Sequence, residues 1–273
     1  MVEASIFKDF FDKADERIKE SLTVQFRMHP QIMKVDNYFY DGKLSFGLDE
    51  QNAEETHDHQ LRNIPYVGRH DHVCWIDSSR TPRGGRWFEN KEGTSYENRL
   101  EAEMIVKALR DIDGERVRLG LPTASAAVVA FYGRQKGLLK RRIEEIEFKK
   151  LKVRVDTVDR FQGGEAPYVL VSMTRAPKQT FRAGEKAFVA KFERINVAYS
   201  RAQSLLLIFG SQEFFKEQRV TIDPAQGRQP VYRYIIDQLD NASRLRDSGD
   251  VLGRDWKRGN DHGENRKFRG FAA

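Results

Sequence analysis

The chain has 273 residues, with 47 Lys and Arg against 41 Asp and Glu, a formal net charge of +6 and one cysteine, Cys74. A hydrophobic share of 39%, a charged share of 32% and an aromatic share of 11% exclude a collagenous, low-complexity or wholly disordered chain. The lone cysteine excludes a disulfide scaffold and fits a reducing compartment, cytoplasmic or (in a eukaryote) nuclear, and no run approaches the roughly 20 apolar residues of a membrane span.

Ile6, Phe7, Phe10, Phe11, Ala14 and Ile18 recur at helical spacing and predict a first helix. Pro30 opens a second, where its missing N–H costs nothing, and that helix runs to a stop at Asp41-Gly42. Residues 45–70 are polar and weakly patterned and read as a long connection to a short strand at 72–77. A Gly- and Arg-rich loop follows over 78–94. Leu100, Met104, Ala108 and Ile112, each four apart, predict a helix over about 96–112. The apolar run 124–132 is expected of a strand covered on both faces.

A basic helix over 133–148, a short strand at 153–157 and a buried strand at 168–174 come next. A helix over 192–203 then leads into a last buried strand at 205–209. Ser211 is placed to cap a short helix, and 231–239 forms a final one. Strands alternating with helices predict an α/β domain with a largely parallel sheet over residues 1–240. Residues 241–273 hold 8 Lys/Arg, 5 Asp/Glu and 5 Gly and read as a flexible basic tail with half of the net charge.

Three segments carry chemistry. In Leu22-Thr-Val-Gln-Phe-Arg-Met-His-Pro30, Arg27 precedes a helix and is placed to reach a phosphate with its planar fork, or is a surface Arg beside a core Phe. In Val155-Asp-Thr-Val-Asp-Arg-Phe-Gln-Gly-Gly-Glu165, a strand end and two glycines let backbone approach a ligand, or make a plain turn. In Arg194-Ile-Asn-Val-Ala-Tyr-Ser-Arg201, two arginines seven apart share a helix face, where they meet an anion or form structural ion pairs.

In this order and spacing the three segments resemble the C-terminal motor half of superfamily 1 helicases, on the nonsense-mediated-decay branch. The resemblance spans about residues 5–215. It includes Ser5-Ile-Phe, Gln25 to Pro30, Phe39-Tyr-Asp-Gly-Lys-Leu44, Phe131-Tyr-Gly-Arg-Gln135, Thr157 to Glu165 and Arg194 to Ala202. It implies a RecA-like fold of the phosphate-loop NTPase type. It implies that Phe26 packs near adenine, that Arg27 contacts the ATP phosphates and that Glu165 binds ribose or steadies the nucleotide side of the cleft. Gln25, Gly163 and Arg194 would belong to that same side, with Arg201 the arginine finger. Thr157 would hold a nucleic-acid phosphate, with Tyr132, Arg134 and Gln135 near the path of a single strand of DNA or RNA. Gly164 stands where relatives carry Arg, Ser or Met, and Gln203 where Arg or Lys is common.

The chain contains no G-x-x-x-x-G-K-[ST] phosphate loop. Asp49-Glu50-Gln51 resembles a magnesium-holding acidic motif only superficially, because it follows the first segment and lacks a preceding apolar strand. The expectation is half of a motor whose ATP and Mg²⁺ are bound mainly by an N-terminal RecA-like domain. The alternative is an ATPase-dead module that binds nucleic acid or docks a partner. His57-Asp-His59 and His70-Asp-His72, near Cys74, form a candidate zinc constellation, but the histidines read as solvated loop residues and no metal is assigned.

Overall fold

In the computed structural model the described residues are 13, 15, 23–161, 164–178, 188–222 and 227–257. The predicted first helix (apart from residues 13 and 15), the Ser5-Ile-Phe start, Gly163 and residues 258–273 lie outside them.

Six strands form one sheet: β1 (Val73–Asp77), β2 (Ala124–Ala130), β3 (Leu151–Thr157), β4 (Ala166–Ser172), β5 (Ala202–Gly210) and β6 (Leu245–Asp247). Their order is β6-β1-β5-β4-β2-β3, and every neighbouring pair is parallel. The helices are α1 (Pro30–Asp36), α2 (Glu50–His57), α3 (Arg99–Arg118), α4 (Gly133–Glu144), α5 (Phe192–Tyr199), α6 (Val231–Asn241) and α7 (Ser248–Leu252).

Side chains alternate across each strand, so the continuous apolar runs feed two cores. Trp75, Val129, Val171 and Ile208 pack on one face with residues of α1, α5 and α6. Ile76, Val128, Leu170 and Leu207 pack on the other with α3 and α4. Each such aliphatic side chain contributes roughly 1.5–3 kcal/mol by leaving water. Trp75 is fully buried and its indole N–H donates to Gly210 O at 2.8 Å.

Four expectations need correction. The connection at 45–70 contains a strand, Ser45–Phe46, and the helix α2; its many polar residues hid the pattern. The helix after residue 192 ends at Tyr199, and Gln203 lies in β5. The tail begins as structure, because β6 pairs with β1 as an edge strand and α7 follows with a capping box from Asp247 to Asp250. Arg244 and Arg246 are held there by Asp71. The predicted loop at 78–94 also holds a strand, Asn90–Glu92, paired with Ser95–Glu97, so the helix expected over about 96–112 starts at Arg99 and runs to Arg118. As expected, α1 passes into a 3-10 turn that stops at Asp41 and Gly42, both at positive φ, and Ser211 caps a short helical turn.

Candidate nucleotide and nucleic-acid sites

Gln25 builds the first site. Its Oε1 accepts from the Arg27 and Met28 N–H groups at 3.0 and 2.8 Å, and its Nε2 donates to Met28 O at 2.9 Å. The amide is thus spent on the turn, which buries Met28 and leaves Phe26 59% exposed. The Phe26 ring lies on Gly47, where an added Cβ would come within 2.3 Å of ring carbons. Gly47 is therefore required for the pose of Phe26, a role that no sequence motif announced.

Arg27 donates from Nε to Glu165 Oε2 at 2.8 Å and from a terminal nitrogen to Ser200 O at 3.4 Å. Gln203 donates to the other oxygen of Glu165 at 3.1 Å. Arg201 follows the end of α5, directly before β5, and its buried Nε has no hydrogen-bond partner among the described residues. Burial, with the like charge of Arg27, lowers the pKa of Arg201. Asp36, fully buried on α1, faces both arginines; burial raises its pKa against their pull. Glu165 and Arg201 sit immediately before β4 and β5, so this cluster lies at the amino end of the sheet. Its one exposed carboxylate is already held by Arg27 and Gln203, and the remaining charge suits an anion rather than a cation.

At the carboxyl end of the sheet lies a cavity of about 580 Å³, lined by Thr157, Tyr132, Tyr96, Phe188 and Arg175 among others. Tyr132 meets Tyr96 edge-on with centroids 5.1 Å apart and Phe188 at 5.5 Å. Arg175 stacks on Tyr96 at 4.2 Å and pairs with the buried Glu89 at 2.9 Å.

Two residues sit elsewhere than expected. Gln135 is fully buried, donating to Asn98 O and Ser172 Oγ and accepting from Asn98 N, so its side chain does not reach a strand. Arg194 does not share a helix face with Arg201. It pairs with Asp159 at 2.8 Å and lies 3.4 Å over the Phe188 ring, on the side of the Thr157 cavity. Arg134 is half-buried and pairs with Glu92 and Glu97.

Behind the cavity is a polar hub that sequence reasoning missed. Glu101 is fully buried and accepts from Ser78 Oγ, Asn98 Nδ2, Ser172 Oγ and Thr174 N. The only signal was Asn98-x-x-Glu101, which also reads as a helix start, and Asn98 does cap α3. Thr174 is held at φ 70, a strained value for a β-branched residue, directly before Arg175.

Among the described histidines only His70 is exposed; His29, His57, His59 and His72 are buried. His29 and His72 stack with centroids 3.4 Å apart and planes 9° apart. His29, Glu54 and His72 bring ligand-type atoms within 4.8 Å of one another. Yet His29 Nδ1 accepts from Gln31 N, which leaves the proton of a neutral ring on Nε2, facing Glu54. Parallel rings also aim their in-plane lone pairs side by side rather than at one ion. Burial lowers the His29 pKa to about 3 and that of His59 to about 4. The cluster packs beneath the Phe26 turn, and His57 Nε2 lies 3.1 Å from Phe26 O. Cys74 is buried, which pushes its thiol up to about 12.

The AAA domain family AAA_12 matches residues 2–213. The chain belongs to that family. The DNA replication ATP-dependent helicase/nuclease DNA2 of Saccharomyces cerevisiae is 28% identical over 227 residues, covering 77% of this chain and 14% of its own length. The uncharacterized ATP-dependent helicase MJ0104 of Methanocaldococcus jannaschii is 29% identical over 200 residues, covering 73% of this chain and 28% of its own length. The ATP-dependent helicase NAM7 of Saccharomyces cerevisiae is 29% identical over 200 residues, covering 70% of this chain and 18% of its own length. This AAA domain thus spans under a third of each of these relatives. Motif order, family and relatives together make it a C-terminal motor domain of the superfamily 1 helicase type, on the nonsense-mediated-decay branch. No helix among its described residues is long and apolar enough to cross a membrane.

Proposed function

We propose that this domain is the second motor domain of an ATP-dependent helicase or translocase acting on single-stranded DNA or RNA. Its partner in the cleft is an N-terminal RecA-like domain that carries the phosphate loop and the acidic residues for magnesium. Arg27 and Arg201 meet the ATP phosphates from this side, Arg201 as the arginine finger, and Phe26 offers its exposed ring to the adenine. Gln25 and Gly47 hold that ring in place, and Glu165 orients Arg27 until nucleotide arrives. Thr157 and Tyr132 face the single strand. Supplying charge to a phosphoryl group in flight is worth several kcal/mol, and closure of two domains on ATP delivers it.

The observation that carries this reading is the convergence of Arg27 with Arg201, whose Nε has no partner among the described residues, at the edge that bears Phe26. Two guanidiniums side by side repel, and a polyphosphate relieves them.

The wiring between the two ends supports coupling. Thr157 stands level with Ala130, and Tyr168 level with Ala126, so the start of β4 lies about 20 Å down the sheet from Thr157. Residues 158–165 make that crossing, and eight residues reach at most ~28 Å. Val158 and Phe161 anchor it in the core. Glu165 on the nucleotide side and Thr157 on the strand side are thus joined by only a few residues of chain.

Binding of a labelled single strand by this chain tests the nucleic-acid half. With about three phosphate contacts, affinity should fall about 18-fold between 50 and 200 mM salt. A flat response to salt would contradict the reading.

A further inference from the structure

A second groove lies beside the Thr157 cavity, between α3 and α4, with a volume of about 720 Å³. Arg99, Lys107 and Arg110 line it from α3, and Arg134, Arg141 and Arg142 from α4. The acidic residues that face it are Glu97, Glu103 and Glu145, so the cations outnumber them two to one. On α3 the lining positions 99, 103, 106, 107 and 110 follow the spacing of one helix face, as do 134, 138, 141, 142 and 145 on α4. The two basic stripes therefore run along facing walls.

Several cations are committed. Arg134 pairs with Glu92 and Glu97, Arg142 with Glu103, and Lys107 with Asp111. Arg110 and Arg141 are exposed, and neither has an ion pair or hydrogen bond among the described residues. The floor is apolar, with Val106, Leu138 and Leu252. Trp256 closes the rim, partly exposed, its indole N–H held by Glu103 Oε2 at 2.7 Å and its ring edge-on to Trp87. Free guanidiniums over an apolar floor, with an anchored indole at the edge, match the chemistry of a phosphate backbone with bases that stack.

Continuity selects nucleic acid over other anions. Tyr96 and Gly133 line the Thr157 cavity, and the next residues in sequence, Glu97 and Arg134, line the groove. The two share the rim formed by the strand Ser95–Glu97 and the first turn of α4. From residue 99 to residue 110 the α3 wall is about 16 Å long, enough for roughly three to five nucleotides.

We propose that this groove is a second phosphate-binding track, which carries a single strand onward from the Thr157 cavity. The proposal rests on the nucleic-acid reading above.

The test is the double variant Arg110→Glu/Arg141→Glu of the full chain, with two labelled single strands of mixed pyrimidines. One has about 5 nucleotides and covers the cavity only; the other has about 15 and reaches the groove. The wild-type chain should bind the longer strand at least 10-fold more tightly. The double variant should lose most of that advantage, with the magnitude of its salt slope smaller by about 1.4 on the longer strand, and bind the shorter strand as before. Both positions are exposed and unpaired, and an unchanged melting temperature confirms folding. If the longer strand bound the variant as tightly as it bound the wild-type chain, the groove assignment alone would fall. If the variant instead lost binding only to poly-glutamate, the groove would belong to an acidic protein partner and the proposal would be overturned. If the wild-type chain bound neither strand, the reading of the Thr157 cavity would fall, and the track with it.

Discussion

Alanine at position 201 should lower strand-stimulated ATP turnover by at least about 10³-fold in a protein that joins this domain to a phosphate-loop domain. Arg201 sits directly before β5, its Nε without a hydrogen-bond partner among the described residues, and Arg27 stands beside it. The Arg201 carbonyl, which takes the Ala166 N–H, is kept in Arg201→Ala. The loss should therefore appear in turnover with little change in thermal stability. Lysine at the same position keeps the charge but not the fork, so it should recover only a small part of the activity. Turnover of Arg201→Ala within 3-fold of wild type would remove the finger assignment.

The second large effect is structural. Glu101→Ala should destabilise the chain by about 4 kcal/mol, because it strips an acceptor from Ser78, Asn98, Ser172 and Thr174 at once. Each buried donor left alone costs about 1–3 kcal/mol, and partial relaxation keeps the sum below the simple total. The same carboxylate restrains Thr174 at its strained φ, so its loss also frees Arg175 on the wall of the Thr157 cavity. Burial pushes the Glu101 pKa up to about 8, against four donors that favour the charged form. A folded pKa above the unfolded value of 4.5 means that the folded chain binds the extra proton. This group then adds stability as pH falls from about 8 toward 4.5, and the gain should vanish in Glu101→Ala. Urea unfolding of both chains at pH 8 and pH 6 measures this; a difference under 1 kcal/mol at both would refute the hub.

How far the sequence could be read follows from what each signal contains. Apolar runs such as 124–130 and 202–210 report burial on both faces, so the central strands were legible without structure. The edge strand β6 has only three residues, two of them charged, and its place in the sheet comes from pairing with β1 rather than from an apolar pattern. The helix α2 is polar on most of its surface, and its purpose, to seat His57 under Phe26, depends on a contact 31 residues away. Motif order named Phe26, Arg27, Glu165 and Arg201, and the fold brings Arg27, Glu165 and Arg201 together at one end of the sheet. Motif order does not say which way a side chain points. Gln135 falls in the right segment and faces inward to Asn98, while Arg194 faces Asp159. Glu101 was hidden because a buried carboxylate on the apolar side of a helix looks, in sequence, like a capping residue.

The central claim is that this domain completes an ATP site it does not itself hold. The direct measurement is ATP turnover by a separately produced phosphate-loop domain, with single strand present, before and after this chain is added. The account predicts a rise of at least about 10²-fold on addition of the wild-type chain, and none with Arg201→Ala. Turnover that is equally fast without the chain, or equally raised by Arg201→Ala, would contradict it.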